Sequence, residues 1–123
     1  MTGFDVLIVE SDVALGRVWS RHLERAGNRV VLEHEQQGAM QAIGITRFDV
    51  VILNVLLRGG SAFVLADELR GQNRNIPVIF VNRTAFFSDG SLFALSPNAR
   101  AHVHPDTPPD DLAAMVEYYT RSA

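Results

Sequence analysis

The sequence predicts an α/β domain with a five-stranded parallel sheet and helices on both faces. Three observations carry that prediction. Short aliphatic runs recur five times along the chain, and longer stretches with helical apolar spacing separate them. The strongest runs are apolar on both faces, as strands buried between two helical layers are. Strand–helix alternation of this kind builds a parallel sheet covered on both sides.

The first run, Phe4–Val9, is too short for a helix and reads as a buried strand. Ser11 or Asp12 then caps a helix through Ala26, with Leu15, Val18, Trp19, Leu23 and Ala26 as its apolar stripe and Gly27 as its stop. Arg29–Glu33 is a second strand, and Gln36–Ile45 a second helix with Ala39, Met40, Ala42 and Ile43 inward. Asp49–Asn54 is the clearest strand, and Arg58-Gly59-Gly60 is a loop. Ser61 caps a third helix whose core side is Phe63, Leu65, Ala66 and Leu69. Pro77–Val81 is a fourth strand, Ser91–Leu95 a short helix stopped by Ser96-Pro97, and Ala101–Val103 a short fifth strand. Thr107 is the expected cap of the last helix. Pro108 suits its first turn, Asp110 and Asp111 complement its dipole, and Leu112, Met115, Val116 and Tyr119 form its core stripe.

A length of 123 residues suits one domain, expected over residues 1–123, with no output domain visible in the tail. No cysteine is present, which excludes disulfides, thiolate metal sites and cysteine nucleophiles. All eleven basic residues are arginine, so no lysine serves as base, Schiff-base former or phosphate ligand. A net charge of −3 offers no basic field for nucleic acid or anionic lipid, so neither is an expected partner. With no apolar run near the ~20 residues of a membrane span and no basic leader, a soluble cytoplasmic protein is expected.

In parallel α/β sheets, sites form beyond the carboxyl ends of the strands. The residues there are Glu10-Ser11-Asp12, Asn54, Asn82-Arg83 and His104. His22, His34 and His102 lack ligand spacing, so a metal site is not expected.

Four segments carry a resemblance that covers nearly the whole chain. They are Val6–Asp12, Phe48–Leu57, Ile76–Asn82 and Ala101-His102-Val103-His104-Pro105. In this order and at these separations the chain resembles the receiver domain of bacterial two-component response regulators, in a degenerate, pseudo-receiver form. The resemblance implies the flavodoxin-like (βα)5 receiver fold and a role in phosphorelay signal transduction. It also implies a magnesium ion held by two acidic residues after the first strand. Glu10 matches the first of these, and Ser11 stands in the place of the second. Asn54 replaces the phosphoryl-accepting aspartate, and Asn82 the serine or threonine that binds the phosphoryl oxygens. Arg83 follows where a small residue is usual, Ala101 takes the place of the aromatic switch residue, and His104-Pro105 replaces lysine–proline.

These replacements remove the family's chemistry. An asparagine amide is no nucleophile for an acyl phosphate, and magnesium prefers hard anionic oxygens, of which Glu10 alone keeps its place. Magnesium binding is therefore expected to be weak or absent, with Asp12 capping the first helix. Arg83 is a candidate cation over the vacated pocket, toward Glu10 or Asp12, and His104 a candidate partner for Glu10. The resemblance further implies a cis bond between His104 and Pro105.

The expected function is a non-enzymatic signalling module that is not phosphorylated at the usual site and acts by protein contact. Its partner is a histidine kinase, another regulator or a second copy. Phe86, Phe87 and Phe93, with Tyr118 on the last helix, form the candidate partner face. Two alternatives remain. One is a receiver phosphorylated at a non-standard residue. The other is a small flavodoxin-like cofactor binder or enzyme, disfavoured because the acidic first loop lacks the hydroxyl- and glycine-rich pattern for a flavin phosphate.

Overall fold

Residues 3–71, 76–83 and 98–121 are described in the computed structural model. Five strands form one sheet: β1 (Asp5–Val9), β2 (Arg29–Glu33), β3 (Val50–Asn54), β4 (Val78–Val81) and β5 (Ala99–Val103). All pair in parallel, in the order β2-β1-β3-β4-β5. The described helices are α1 (Val13–Arg25), α2 (Gln36–Ile45), α3 (Ala62–Gly71) and α4 (Pro109–Arg121). The predicted helix around Ser91–Leu95 lies outside the described residues.

Strand alternation divides the core. Leu7, Val9, Val51, Leu53, Val78 and Phe80 face the layer of α2 and α3, joined by Ile43, Leu65 and Leu69. Val6, Ile8, Val50, Ile52, Ile79 and Val81 face α1 and α4, where Trp19, Leu23, Leu112 and Val116 cover them. Continuous burial of β1, β3 and β4 explains why the three central runs read as strands buried on both faces. The chain goes from β1 outward to β2 and then crosses to β3 on the other side. The loops after β1 and β3 therefore flank the point where the winding reverses.

Several details differ from the sequence prediction. Val18 and Ala26 are exposed rather than part of the α1 stripe, because α1 turns Gly16 inward, where a Cβ would press on Leu32. A side chain there would require Leu32 to shift. Of the two capping residues the sequence allows, Asp12 caps α1, accepting a hydrogen bond from the Leu15 N–H at 3.2 Å, as one of them was expected to. The cap of α4 is not Thr107. The Pro108 carbonyl accepts from the N–H groups of Asp111 and Leu112 at 3.0 and 3.2 Å, which puts Pro109 in the first helical position. β5 begins two residues earlier than expected, at Ala99.

The His104–Pro105 bond is trans. The Thr107 N–H donates to the His104 carbonyl at 2.9 Å, closing a turn in which Pro105 is the second residue. That position takes proline in its trans form, whereas a cis proline belongs one place later.

At the amino edge of the sheet, Arg29 forks onto Asp5, with its Nε and one terminal nitrogen each 3.0 Å from a carboxylate oxygen. This bond from the guanidinium holds the Asp5 carboxyl below its ordinary range. The Asp49 carboxylate in turn accepts from the Asp5 N–H at 2.8 Å, tying β1 to the start of β3.

Two outcomes test this description. Leu23→Ala, which empties a fully buried position under α1, is expected to cost about 2–5 kcal/mol in chemical denaturation. Because the Asp5 pKa is depressed by folding, its contribution is present above the ordinary carboxylate pKa and is lost as pH falls through the folded value. Asp5→Asn should therefore flatten the acid limb of the stability–pH curve and leave its slope near neutrality unchanged.

Candidate functional site

The parallel sheet brings the ends of β1, β3, β4 and β5 to one edge. At the end of β1, the Glu10 N–H continues the ladder to the Glu33 carbonyl at 3.0 Å, leaving the side chain at the edge but only 2% exposed. A carboxylate buried this far needs hydrogen bonds to both oxygens. Asn54 Nδ2 donates to Glu10 Oε1 at 2.7 Å, and the Asp12 N–H donates to Oε2 at 3.0 Å. The other end of the Asn54 amide accepts from the Leu56 N–H at 2.8 Å, fixing which way the amide points. Glu10, Asn54 and the backbone of Asp12 thus form one connected cluster, while the Asp12 side chain is turned to its capping role.

Ser11 faces a second set of partners. Its hydroxyl donates to the His34 carbonyl at 2.9 Å and accepts from the Arg58 N–H at 3.0 Å. His34 returns across the same strand pair, its Nδ1–H donating to the Glu10 carbonyl at 2.8 Å. Gln36 reaches the next loop, accepting from the Ser61 N–H at 2.7 Å, and Gly60 is where it is because any Cβ there would strike the Gln36 side chain. The loops after β1, β2 and β3 are therefore stitched together. Sequence reasoning missed His34, Gln36 and Arg58 as members of this edge. No local spacing marks them, because parallel pairing of β1 with β2 brings residues 24 apart together. A cleft of about 390 Å³ opens beside this seam, lined by Ser11, Glu33, His34, Glu35 and Arg58 among others.

The remaining strand-tip residues stand apart from the cluster. Asn82 is 4% exposed, and its N–H donates to the Val103 carbonyl at 2.9 Å. Arg83 is exposed and forms no ion pair with Glu10 or Asp12. His104 is turned to its own turn, away from Glu10. Its Nδ1 accepts from the Asp106 N–H at 3.0 Å and lies 3.4 Å from the Asp106 carboxylate. Ala101 is half-buried on the α1–α4 side of β5. Tyr118 is 63% exposed on α4, whereas Phe86, Phe87 and Phe93 lie outside the described residues.

No protein-family model matches the chain. An uncharacterized transcriptional regulatory protein of Bacillus subtilis (strain 168), YbdJ, is 34% identical over 82 residues, or 67% of this chain and 36% of the relative. A CheY-like response regulator receiver domain protein from Methanospirillum hungatei JF-1 superposes with a TM-score of 0.86 over 97% of this chain and 94% of its own, at 20% identity. The receiver domain of the sensor histidine kinase PA1611 from Pseudomonas aeruginosa PAO1 was solved with a magnesium ion coordinated in its active-site cleft. It superposes with a TM-score of 0.83 over 97% of this chain and 98% of its own, at 18% identity. The chain has the fold of a response-regulator receiver domain. It spans about a third of the length of the curated relatives it matches, 36% in each case.

In this receiver fold, the edge that carries Glu10 and Asn54 is the one where the resemblance places a magnesium ion. The residues present do not fit one. Among the described residues, Glu10 supplies the one carboxylate bonded to the Asn54 side chain, and both its oxygens already accept hydrogen bonds. The Ser11 hydroxyl is committed to His34 and Arg58, and the Asn54 oxygen to Leu56. Among the described residues, no group of three or more His, Asp or Glu side chains is arranged to hold a metal ion. Nor is any described helix long and apolar enough to cross a membrane.

The Asn54 amide stabilises Glu10 by donating, and an aspartate cannot donate once ionised. Asn54→Asp removes that donor and sets a second carboxyl group beside a buried one. The variant is expected to lose about 1–3 kcal/mol at pH 7. A variant as stable as the wild type in chemical denaturation would show that the Nδ2 bond is not what holds Glu10.

Proposed function

We propose that this receiver domain is a signalling module of two-component regulation that is not phosphorylated at the Asn54 position, binds magnesium weakly or not at all, is not an enzyme and acts through protein contact. The Asn54 to Glu10 hydrogen bond of 2.7 Å carries this reading. At the place where phosphorylation needs a carboxylate nucleophile and a metal beside it, an amide donates to the Glu10 carboxylate. The cluster satisfies itself, so neither a cation nor a phosphoryl group is needed to complete it. Relatives named as transcriptional regulatory proteins fit a role in signal-dependent regulation, exerted by whatever the domain contacts. Absence of a membrane-crossing helix among the described residues fits a cytoplasmic location.

Acetyl phosphate or beryllofluoride supplied with magnesium provides the test. Native mass spectrometry is expected to find no added phosphoryl group, about 80 daltons, and NMR amide shifts should stay in place. Asn54→Asp alone supplies the nucleophile without the second acidic residue, so it should accept little. Adding Ser11→Asp supplies that acid but removes the hydroxyl donor to the His34 carbonyl. Phosphorylation of the wild-type chain at any residue would overturn the proposal.

A further inference from the structure

β2 is an edge strand, and its outer side carries backbone groups that no described strand pairs. The Arg29 N–H donates to the Phe4 carbonyl at 2.9 Å, and the Glu33 carbonyl accepts from the Glu10 N–H at 3.0 Å. With the register running from Asp5–Arg29 to Val9–Glu33, it is Arg29, Val31 and Glu33 that turn their backbone groups toward β1. Val30 and Leu32 therefore turn one N–H and one carbonyl each to the outer side, beyond which the sheet has no further described strand. Sheet edges are ordinarily guarded by lysine, proline, bulges or charge. The opposite edge fits that rule: β5 has a register shift against β4 and carries Arg100 and His102. β2 does not. Its register is unbroken, it has no proline, and its three central residues, Val30, Val31 and Leu32, are aliphatic. All three are half-buried, Val31 in the layer of α2 and α3, Val30 and Leu32 in the layer of α1 and α4.

We infer that β2 pairs antiparallel with β2 of a second copy of the chain, joining two sheets edge to edge. The strand's own sequence, Arg-Val-Val-Leu-Glu, selects this occupant. A two-fold axis at Val31 sets Arg29 opposite Glu33 of the second copy, Val30 opposite Leu32, and Val31 opposite itself. Val30 and Leu32 are the residues whose backbone groups face outward, so each such pair exchanges two hydrogen bonds. Val31 and its copy form the closer, non-hydrogen-bonded pair at the axis. Sliding the register by two residues either way sets Arg29 or Glu33 opposite Val31, so aliphatic burial and charge agree on one alignment. Arg29 keeps its fork on Asp5 through Nε and Nη2 and has Nη1 left for the second copy, while Glu33 is in no ion pair among the described residues. On one face, α2 has no charged residue along Gln36–Ile45, so two copies of it meet without like-charge repulsion. On the other, both copies carry the exposed Arg17, Arg21 and Arg25 of α1, whose repulsion keeps the contact weak. One pair of strands also buries little area, so the pairing is reversible and concentration-dependent. This inference rests on the reading that the domain acts by protein contact, and it fails separately from it. Phosphodonor experiments judge the Asn54 site without regard to association, and association is measured here without phosphodonor.

Hydrogen exchange of the wild type reads the pairing residue by residue. As sedimentation equilibrium shows the mass rising from monomer toward dimer with concentration, exchange should slow severalfold at the Val30 and Leu32 amides. At Val31 and Glu33, bonded to β1 at every concentration, it should stay slow throughout. Absence of cysteine supplies a second test, because one introduced thiol forms a disulfide only between copies. Val31→Cys puts that thiol at the axis, where facing Cα atoms lie about 4.5 Å apart, within disulfide reach. Val18→Cys is the control, at a position 52% exposed on α1. Random collision favours the more exposed Val18 position, whereas pairing through β2 makes Val31→Cys link faster by about tenfold or more. A wild type that stays monomeric up to millimolar concentration overturns the proposal. So does a dimer whose Val30 and Leu32 amides remain unprotected, or a folded Val31→Cys that links no faster than Val18→Cys. An extended segment of another protein that protects those two amides while the chain itself stays monomeric also overturns it, in favour of that partner.

Discussion

Glu10 sets the constraint on which the functional edge depends. A carboxyl group at 2% exposure, at the end of a strand buried on both faces, is costly unless both oxygens are hydrogen-bonded. The chain meets this demand from two directions. One donor is the backbone of Asp12, available because α1 starts there. The other is the Asn54 amide from the neighbouring strand. Supplying the second donor requires β3 in register with β1, which the pairing of Val9 with Leu53 provides. Orienting the amide then requires the Leu56 N–H at its oxygen, so the loop after β3 is held by the same interaction that holds Glu10.

The seam through Ser11 is a separate device with a related result. A hydroxyl both donates and accepts, and Ser11 uses both capacities to join the loops after β2 and β3. An aspartate in its place would accept from Arg58 but would face the His34 carbonyl with no proton to offer. Ser11 and Asn54 therefore act alike: each uses a proton donor where the receiver resemblance has an acid.

The strands were readable because burial on both faces leaves a continuous aliphatic signature, and β2 and α2 begin and end where turn residues and apolar spacing place them. The α1 stripe was only partly readable. Hydrophobic spacing alone admits Val18, whereas close approach to Leu32 turns Gly16 inward instead, and a glycine leaves no mark in an apolar pattern. The α4 start was displaced by one residue: Thr107 is a good capping residue by type, yet the Pro108 carbonyl is the one that accepts from the first turn of the helix. Of the site, Glu10 and Asn54 were legible from their places at strand ends. Their mutual bond and the His34–Ser11–Arg58 seam were not, since these join residues brought together by the sheet rather than by the local sequence. For Arg83 and His104, length and charge made the pocket a reasonable destination. A short turn at Pro105 instead gives His104 a nearer partner in Asp106.

A conformational switch needs a ligand that interacts more favourably with one state than with the other. In this edge the groups that would respond to a phosphoryl group or a metal already bond to each other, and the loops that would move are joined by neutral hydrogen bonds that no cation is needed to hold. On the proposed reading, the free energy that a phosphorylated receiver draws from its modified site has no source here. What remains variable is occupancy of a surface. On that reading, regulation passes from a chemical event in the pocket to a binding equilibrium on the surface.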